Sequence, residues 1–371
     1  MITAAGRPVA VHQFLPALNP HDATGTHTLK LRDVLRQAGW RSEIFAEAVH
    51  DDLVAEAYKH WMYPEHAADG DVAVYQFTTS SAVAPYLAEQ GLPLILDFHN
   101  FTSPELFAGW EPGNVTRAAQ AADDLALLAP EAMLGLARSA YSERTLRHAG
   151  CRRTTVTPAL ADYARVTAKP DPRVAAELQA RRAADGGADI LFVGRVVPSK
   201  AQHELVKALW TYRRLYDPAA RLHLVGGTSS YAYSKALFDF VEDLGLANAV
   251  RIAGEVSDSA LAAYFEQCDV FLSLSVHEGF GVPLVEAMTA GLPIVVRGAG
   301  AGAVTQTVGN AALVLQSGDP AYVAAALHRV CTDDALRRTL ADNGRRRAAE
   351  LQGDSVGQQF VEAIAGVVGR P

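Results

Sequence analysis

Cysteine is scarce in this chain: Cys151, Cys268 and Cys331 stand far apart among 371 residues. No Cys-x-x-Cys or mixed Cys/His spacing joins them, which argues against a disulfide framework or structural zinc and fits a reducing cytoplasm. Long apolar runs are also missing. No stretch reaches the roughly eighteen residues a membrane-spanning helix needs, and the opening MITAAGRPVAVHQFLP lacks the apolar centre of a secretory signal. A cytoplasmic protein without stable membrane insertion is expected. Excess positive charge is absent too. At a net charge of −8, broad attraction to nucleic acid or anionic lipid is not expected. Lysine numbers six against twenty-seven arginines, which reads as a coding bias towards Arg and Ala. There are no solenoid repeats or low-complexity tracts. What the chain does have is apolar material, 49% of residues against 20% charged, enough for two domains of roughly 150 to 200 residues.

The second half shows its organisation most clearly. DILFVGR (189–195), RLHLVGG (221–227), VRIAGEV (250–256), DVFLSLS (269–275), PIVVRG (293–298) and AALVLQ (311–316) are short apolar runs that suit buried parallel strands. Helical stretches are expected between them at 203–216, 234–245, after the serine cap of SDSALAAYFEQC, and at 283–291. This alternation implies a parallel sheet with helices on both faces. The first half repeats it with VAVHQFL (9–15), RSEIFAE (41–47), DVAVYQF (71–77), LPLILDFHN (92–100) and AMLGLARS (132–139). There, a loop NPHDATGTH precedes an amphipathic helix at 29–38. The expected division is a first Rossmann-like domain at 1–165, a linker at 166–188 and a second domain at 189–353, with a helix at 354–371 crossing back to the first. Ligands of such sheets bind at strand C-termini, so a cleft between the domains is the expected place for a site.

The chemistry concentrates after two strands of the second half. In GRVVPSK, Arg195 and Lys200 follow the first of these strands, five residues apart. Arginine offers a fork and lysine a point charge, so together they can grip a diphosphate. Alone, such a loop is as readily a solvated basic turn. After the fourth strand comes HEGFGVPLVEAMTAG, with Pro283 at the start of a helix. Its glycines allow close backbone approach, and free amides at a helix start attract anions. Glu278 and Glu286 flank this stretch. Each carboxylate can accept hydroxyl protons and so suits a vicinal diol; a nucleoside diphosphate sugar carries one at each end. By itself, Glu286 is equally a carboxylate favoured by the helix dipole.

HEGFGVPLVEAMTAGLPIVV resembles the E-x7-E signature of retaining glycosyltransferase family four, which has the GT-B fold, and VGRVVPSK, from Val193 through Gly194, is similar to that family's Gly-Arg-x-x-x-x-Lys phosphate loop. The likeness covers nearly all of 189–320 and, more weakly, the first half. It implies two doubly wound Rossmann-like domains facing a central cleft. It further implies that Arg195 and Lys200 neutralise a leaving diphosphate, that Glu278 contacts donor-sugar hydroxyls, and that Glu286 holds the ribose. Gly279, Phe280, Gly281 and Val282 would present backbone to phosphate or sugar, and Gly254 and Val256 of GEV would hold the base. DATGTH is similar to the family's first-domain glycine loop, implicating Gly25 and Thr26, although only one glycine stands where many relatives have two. His99 of DFHN matches a histidine facing the donor sugar. Thr305-Gln306 replaces the Pro-Glu common in relatives, a change expected to alter a nearby loop.

The implied reaction moves a sugar from a nucleotide-diphosphate sugar, UDP- or GDP-linked, to an acceptor hydroxyl with retention. No metal or other cofactor is expected, since cations and amides fill that role. Asp69-Gly70-Asp71 could suggest the Asp-x-Asp metal motif of another glycosyltransferase class, but it reads as a turn. With only a modestly basic helix at 27–41, the acceptor is expected to be a soluble metabolite or saccharide. A GT-B phosphorylase, a sugar-nucleotide epimerase and a non-catalytic sugar-nucleotide binder remain rivals. A dehydrogenase is disfavoured because no G-x-G-x-x-G follows the first strand of either half.

Overall fold

The computed structural model describes residues 10–20, 22–300 and 302–370; the leading stretch read above lies outside it through Val9. The chain divides into two compact units, one of Met1–Glu105, Pro112–Ala161 and Gln352–Pro371, the other of Leu106–Glu111 and Asp162–Leu351.

Apolar runs in the first unit form seven parallel strands: β1 Val11–Leu18, β2 Ile44–Val49, β3 Tyr58–Lys59, β4 Val72–Phe77, β5 Leu94–Phe98, β6 Leu134–Ala137 and β7 Thr154–Val156. Their order is β3-β2-β1-β4-β5-β6-β7. Helices Val83–Gln90, Pro112–Leu128 and Ala140–His148 complete the alternation. The last helix, Asp354–Val368, sets Val356, Phe360, Ile364 and Val368 at a four-residue spacing into a core with Val11, Leu31, Leu35, Val74 and Leu136. This unit's first helix runs Ala23–Gln37, six residues earlier than the apolar spacing indicates. Asp22 caps it by accepting the Gly25 N–H at 3.3 Å, and a Cβ at Gly25 would stand 2.5 Å from the Asn19 carbonyl oxygen. Only a glycine lets that first turn close, so DATGTH is helix rather than loop.

The second unit has β8 Asp189–Val193, β9 Arg221–Val225, β10 Val250–Gly254, β11 Val270–Ser273, β12 Ile294–Arg297 and β13 Ala312–Leu315. They are parallel in the order β10-β9-β8-β11-β12-β13. Its core packs Ile190, Phe192, Leu222, Leu224 and Leu272 against Leu205 and Leu209 of helix Gln202–Leu215 and Val323 and Leu327 of helix Pro320–Thr332. Residues 166–188, expected as a linker, instead contribute a helix, Pro172–Asp185, to this unit. Asp171 caps the helix through the Arg173 and Val174 amides. Leu178 is buried, and Arg182 pairs with Asp189 at 3.0 Å and Asp269 at 2.6 Å. Both strand orders reverse direction once, between β1 and β4 and between β8 and β11. Such switch points are where doubly wound sheets bind ligands.

Candidate active site

At the second switch point, neighbouring β8 and β11 bring their following loops together. Beyond β8, Pro198–Lys200 forms a 3-10 turn, and the Val276 amide donates to the Ser199 carbonyl at 2.9 Å, joining the two loops. The Lys200 ammonium then meets Glu278 Oε1 at 2.6 Å, both side chains mostly buried. Sequence reasoning gave Lys200 the diphosphate and Glu278 the donor sugar; in the structure they pair with each other. Two of the lysine's three N–H groups and one carboxylate oxygen stay available to a ligand. Arg195 is exposed and forms no ion pair among the described residues, while its carbonyl accepts from the Gln202 side chain at 2.8 Å.

Glycines make room for this edge. Gly281 has φ +90° and precedes helix Val282–Ala290, so Pro283 is the second helical residue rather than the first. No side chain caps that helix; Pro283 has no N–H and the Leu284 amide donates to the Gly281 carbonyl at 3.0 Å, so of the first turn it is the Val282 amide that can face an anion. The Ala303 amide donates to the Glu278 carbonyl at 3.0 Å, and the buried Thr307 hydroxyl donates to the Phe280 carbonyl at 2.6 Å. The helix Val304–Val308, which carries Thr305-Gln306, thus braces the glycine loop. At the ends of β9 and β10, the Gly226 amide donates to Gly254 at 2.8 Å. A Cβ on Gly226, at φ +144°, would collide with the Gly194 carbonyl, a requirement not visible in RLHLVGG. Val256 follows this edge and leads to Ser257, whose hydroxyl accepts from the Ala260 amide and caps the next helix.

Glu286 is buried in helix Val282–Ala290. Arg165 Nε donates to its Oε1 at 2.7 Å, and Nη2 of the same guanidinium lies 2.6 Å from that oxygen in an ion pair, while its Oε2 is buried without a hydrogen-bond partner. Burial pushes this carboxyl up, and Arg165 opposes the shift. Sequence reasoning missed Arg165 because nothing within its own segment marks a contact 121 residues away.

In the first unit, a relay of side chains orients His99 at the end of β5. Gln13 Nε2 donates to the Thr28 carbonyl at 2.9 Å, and Gln76 Nε2 donates to Gln13 Oε1 at 2.9 Å. The remaining Gln76 oxygen lies 2.6 Å from His99 Nε2. That nitrogen must therefore carry the proton, leaving Nδ1 as the acceptor in the neutral ring. Burial holds the His99 pKa well below its ordinary value. Beside it, the Leu160 amide donates to His27 Nδ1 at 3.0 Å, so His27 Nε2–H donates to Asp97 at 2.9 Å. Arg138 pairs with the other Asp97 oxygen. His27, Asp97 and His99 lie close enough to invite a metal reading, but a guanidinium and an amide already occupy their donor atoms. Gly25 and Thr26 do not form an open cradle. Asp22 accepts the Gly25 amide through its side chain and the Thr26 amide, at 2.9 Å, through its carbonyl.

Residues 175–347 match the family described as glycosyl transferases group 1. A D-inositol 3-phosphate glycosyltransferase from Salinispora arenicola is 32% identical over 217 residues, 56% of this chain and 48% of that protein. The chain spans about half the length of the curated relatives it matches. In fold it is similar to sucrose-phosphate synthase from Thermosynechococcus elongatus, with a TM-score of 0.76, 18% identity and coverage of 96% of this chain and 98% of that one. It is also similar to Anabaena HepE in complex with UDP-glucose, with a TM-score of 0.73, 21% identity and coverage of 96% and 99%. The chain therefore has the GT-B fold, and residues 175–347, within its second unit, are similar to the glycosyl transferases group 1 family.

Proposed function

We propose that the protein is a retaining glycosyltransferase that moves a hexose from a UDP- or GDP-sugar to a hydroxyl of a soluble metabolite or saccharide. The observation that carries this is the juxtaposition at the second switch point of Lys200 and Glu278, an uncapped helix start and the half-satisfied Glu286. In this reading Arg195, Lys200 and the amides of Gly279 to Val282 receive the diphosphate. Gly254 and Val256 face the base, and Glu286 takes the ribose. Glu278, held by Lys200, accepts from a hydroxyl of the transferred sugar. His99 offers Nδ1 to another sugar hydroxyl.

The bond from the anomeric carbon to the diphosphate oxygen breaks while the acceptor oxygen bonds to that carbon from the same face. The acceptor's proton passes to the departing phosphate, so no enzymatic nucleophile is needed. Negative charge grows on the diphosphate as the bond lengthens, and preorganised cations and amides stabilise it most at that point. Arg195 and Lys200 supply charge that a divalent ion provides elsewhere, so turnover without added metal is expected.

Donor consumption measured with UDP- and GDP-sugars tests this reading. E278A, and the double variant R195A/K200A, are each expected to lose on the order of a hundredfold in kcat while remaining folded. Near-normal turnover in both would contradict these roles. Inverted anomeric configuration in the product, read by NMR, would overturn retention.

A further inference from the structure

The buried oxygen of Glu286 that has no partner requires an explanation, because buried polar atoms are almost always hydrogen-bonded. Its neighbour Oε1 accepts from Arg165 Nε at 2.7 Å and lies 2.6 Å from Nη2 of the same guanidinium. Arg165 is itself anchored a second time, with Nη1 lying 3.6 Å from Asp258 Oδ1. Asp258 opens the helix that follows Val256 and Ser257. One arginine therefore ties the Glu286 carboxylate to the segment assigned above to the base.

We infer that Arg165 is a positioning residue for the nucleotide: by holding Oε1 of Glu286, it keeps the carboxylate turned so that Oε2 accepts from the ribose hydroxyls. This rests on the nucleotide-sugar reading above and extends it to a residue outside the two motifs. Oε2 can accept two hydrogen bonds, which matches a vicinal diol. Because it is buried, a hydroxyl reaches it only as the cover over it yields, and that hydroxyl then replaces the missing partner. Without Arg165, the neighbouring carboxylates Asp258 and Asp162 would add to burial in driving Glu286 towards its protonated form. A protonated carboxyl presents a donor where the diol needs an acceptor. Lysine would supply charge but not the planar guanidinium that holds Oε1 and reaches Asp258 at the same time.

Isothermal titration with UDP, GDP and their 2′,3′-dideoxy analogues tests the assignment. The intact protein is expected to bind the preferred ribonucleotide roughly 10- to 100-fold more tightly than its dideoxy analogue, because bonds to a charged acceptor are lost. In R165A that ratio should fall towards one, with affinity for the dideoxy nucleotide nearly unchanged. R165K should give an intermediate ratio, and it serves as the deciding variant if R165A does not fold. A generally structural role for Arg165 would weaken both nucleotides alike. Discrimination equal to that of the intact protein in folded R165A or R165K overturns the inference, and so does an intact protein that binds nucleotide without discriminating. An intact protein that binds neither nucleotide overturns the nucleotide-sugar reading itself.

Discussion

Gly226 shows how much of the site edge depends on single atoms. It sits where β9 ends, at φ +144°, with the Gly194 carbonyl in the space a Cβ would occupy. G226A must move backbone at the residue next to Arg195, and strain of this kind amounts to about 1–3 kcal/mol. A lowered unfolding midpoint in urea, together with weaker nucleotide binding, is the expected result. An unchanged midpoint would mean that the loop adjusts freely. At the same scale, the Lys200–Glu278 pair shows what motif spacing could and could not convey. The order of Gly-Arg, Lys and the two glutamates was legible as chemistry. The direct contact between lysine and the nearer glutamate was not, because it arises only when β8 and β11 lie side by side.

Secondary elements were readable wherever burial imposes a period. The six strands of the second unit appear as short apolar runs because a parallel sheet covered on both faces leaves no polar side. The segment 164–189 misleads for the opposite reason. Its prolines, charges and Gly-Gly look like a connector, yet Asp171 caps a helix and Arg182 bridges Asp189 and Asp269. Asp269 lies 87 residues from Arg182, so the composition of the segment carries no trace of that bridge. The terminal helix Asp354–Val368 is bound by its apolar stripe. Phe360 is fully buried among Val11, Leu31 and Ile364 and lies beneath the Arg138 guanidinium and against the His27 ring. F360A is expected to destabilise the first unit by about 3–5 kcal/mol, read as earlier loss of helical circular dichroism on heating. A loss below about 1 kcal/mol would show that this helix contributes little to the core.

For the whole molecule, buried titrating groups set a pH dependence with a definite sign. His27, His60, His99, His203 and His277 all have pKa values lowered chiefly by burial. Below about pH 6.5 the unfolded chain takes up protons that these folded sites resist, so stability falls as pH drops through that range. Glu286, raised by burial, acts in the opposite direction but is a single group. Asp97 and Asp189 are held low by Arg138 and His27, and by His223 and Arg221, against the effect of burial. Their contribution is present above about pH 4 and is lost only in stronger acid. The melting temperature should therefore decline between pH 7.5 and 5.5. A flat or rising profile by differential scanning fluorimetry would show that the buried histidines do not control stability there.

Local chemistry needs only neighbours along the chain. The alternation of strands and helices, and the placing of Arg195, Lys200, the glycines and the two carboxylates just after their strands, were therefore determined by sequence alone, and the comparisons agree on the GT-B fold and on a match of residues 175–347 to glycosyl transferases group 1. Tertiary structure decided which groups meet. It set Lys200 on Glu278, Arg165 on one oxygen of Glu286, Thr307 under Phe280 and Gln76 behind His99. It also drew the apparent linker into the second unit, where Arg182 reaches Asp269. In each case the deciding force is a hydrogen bond, charge or steric limit between residues distant in sequence, which exists only once the sheets have brought them together.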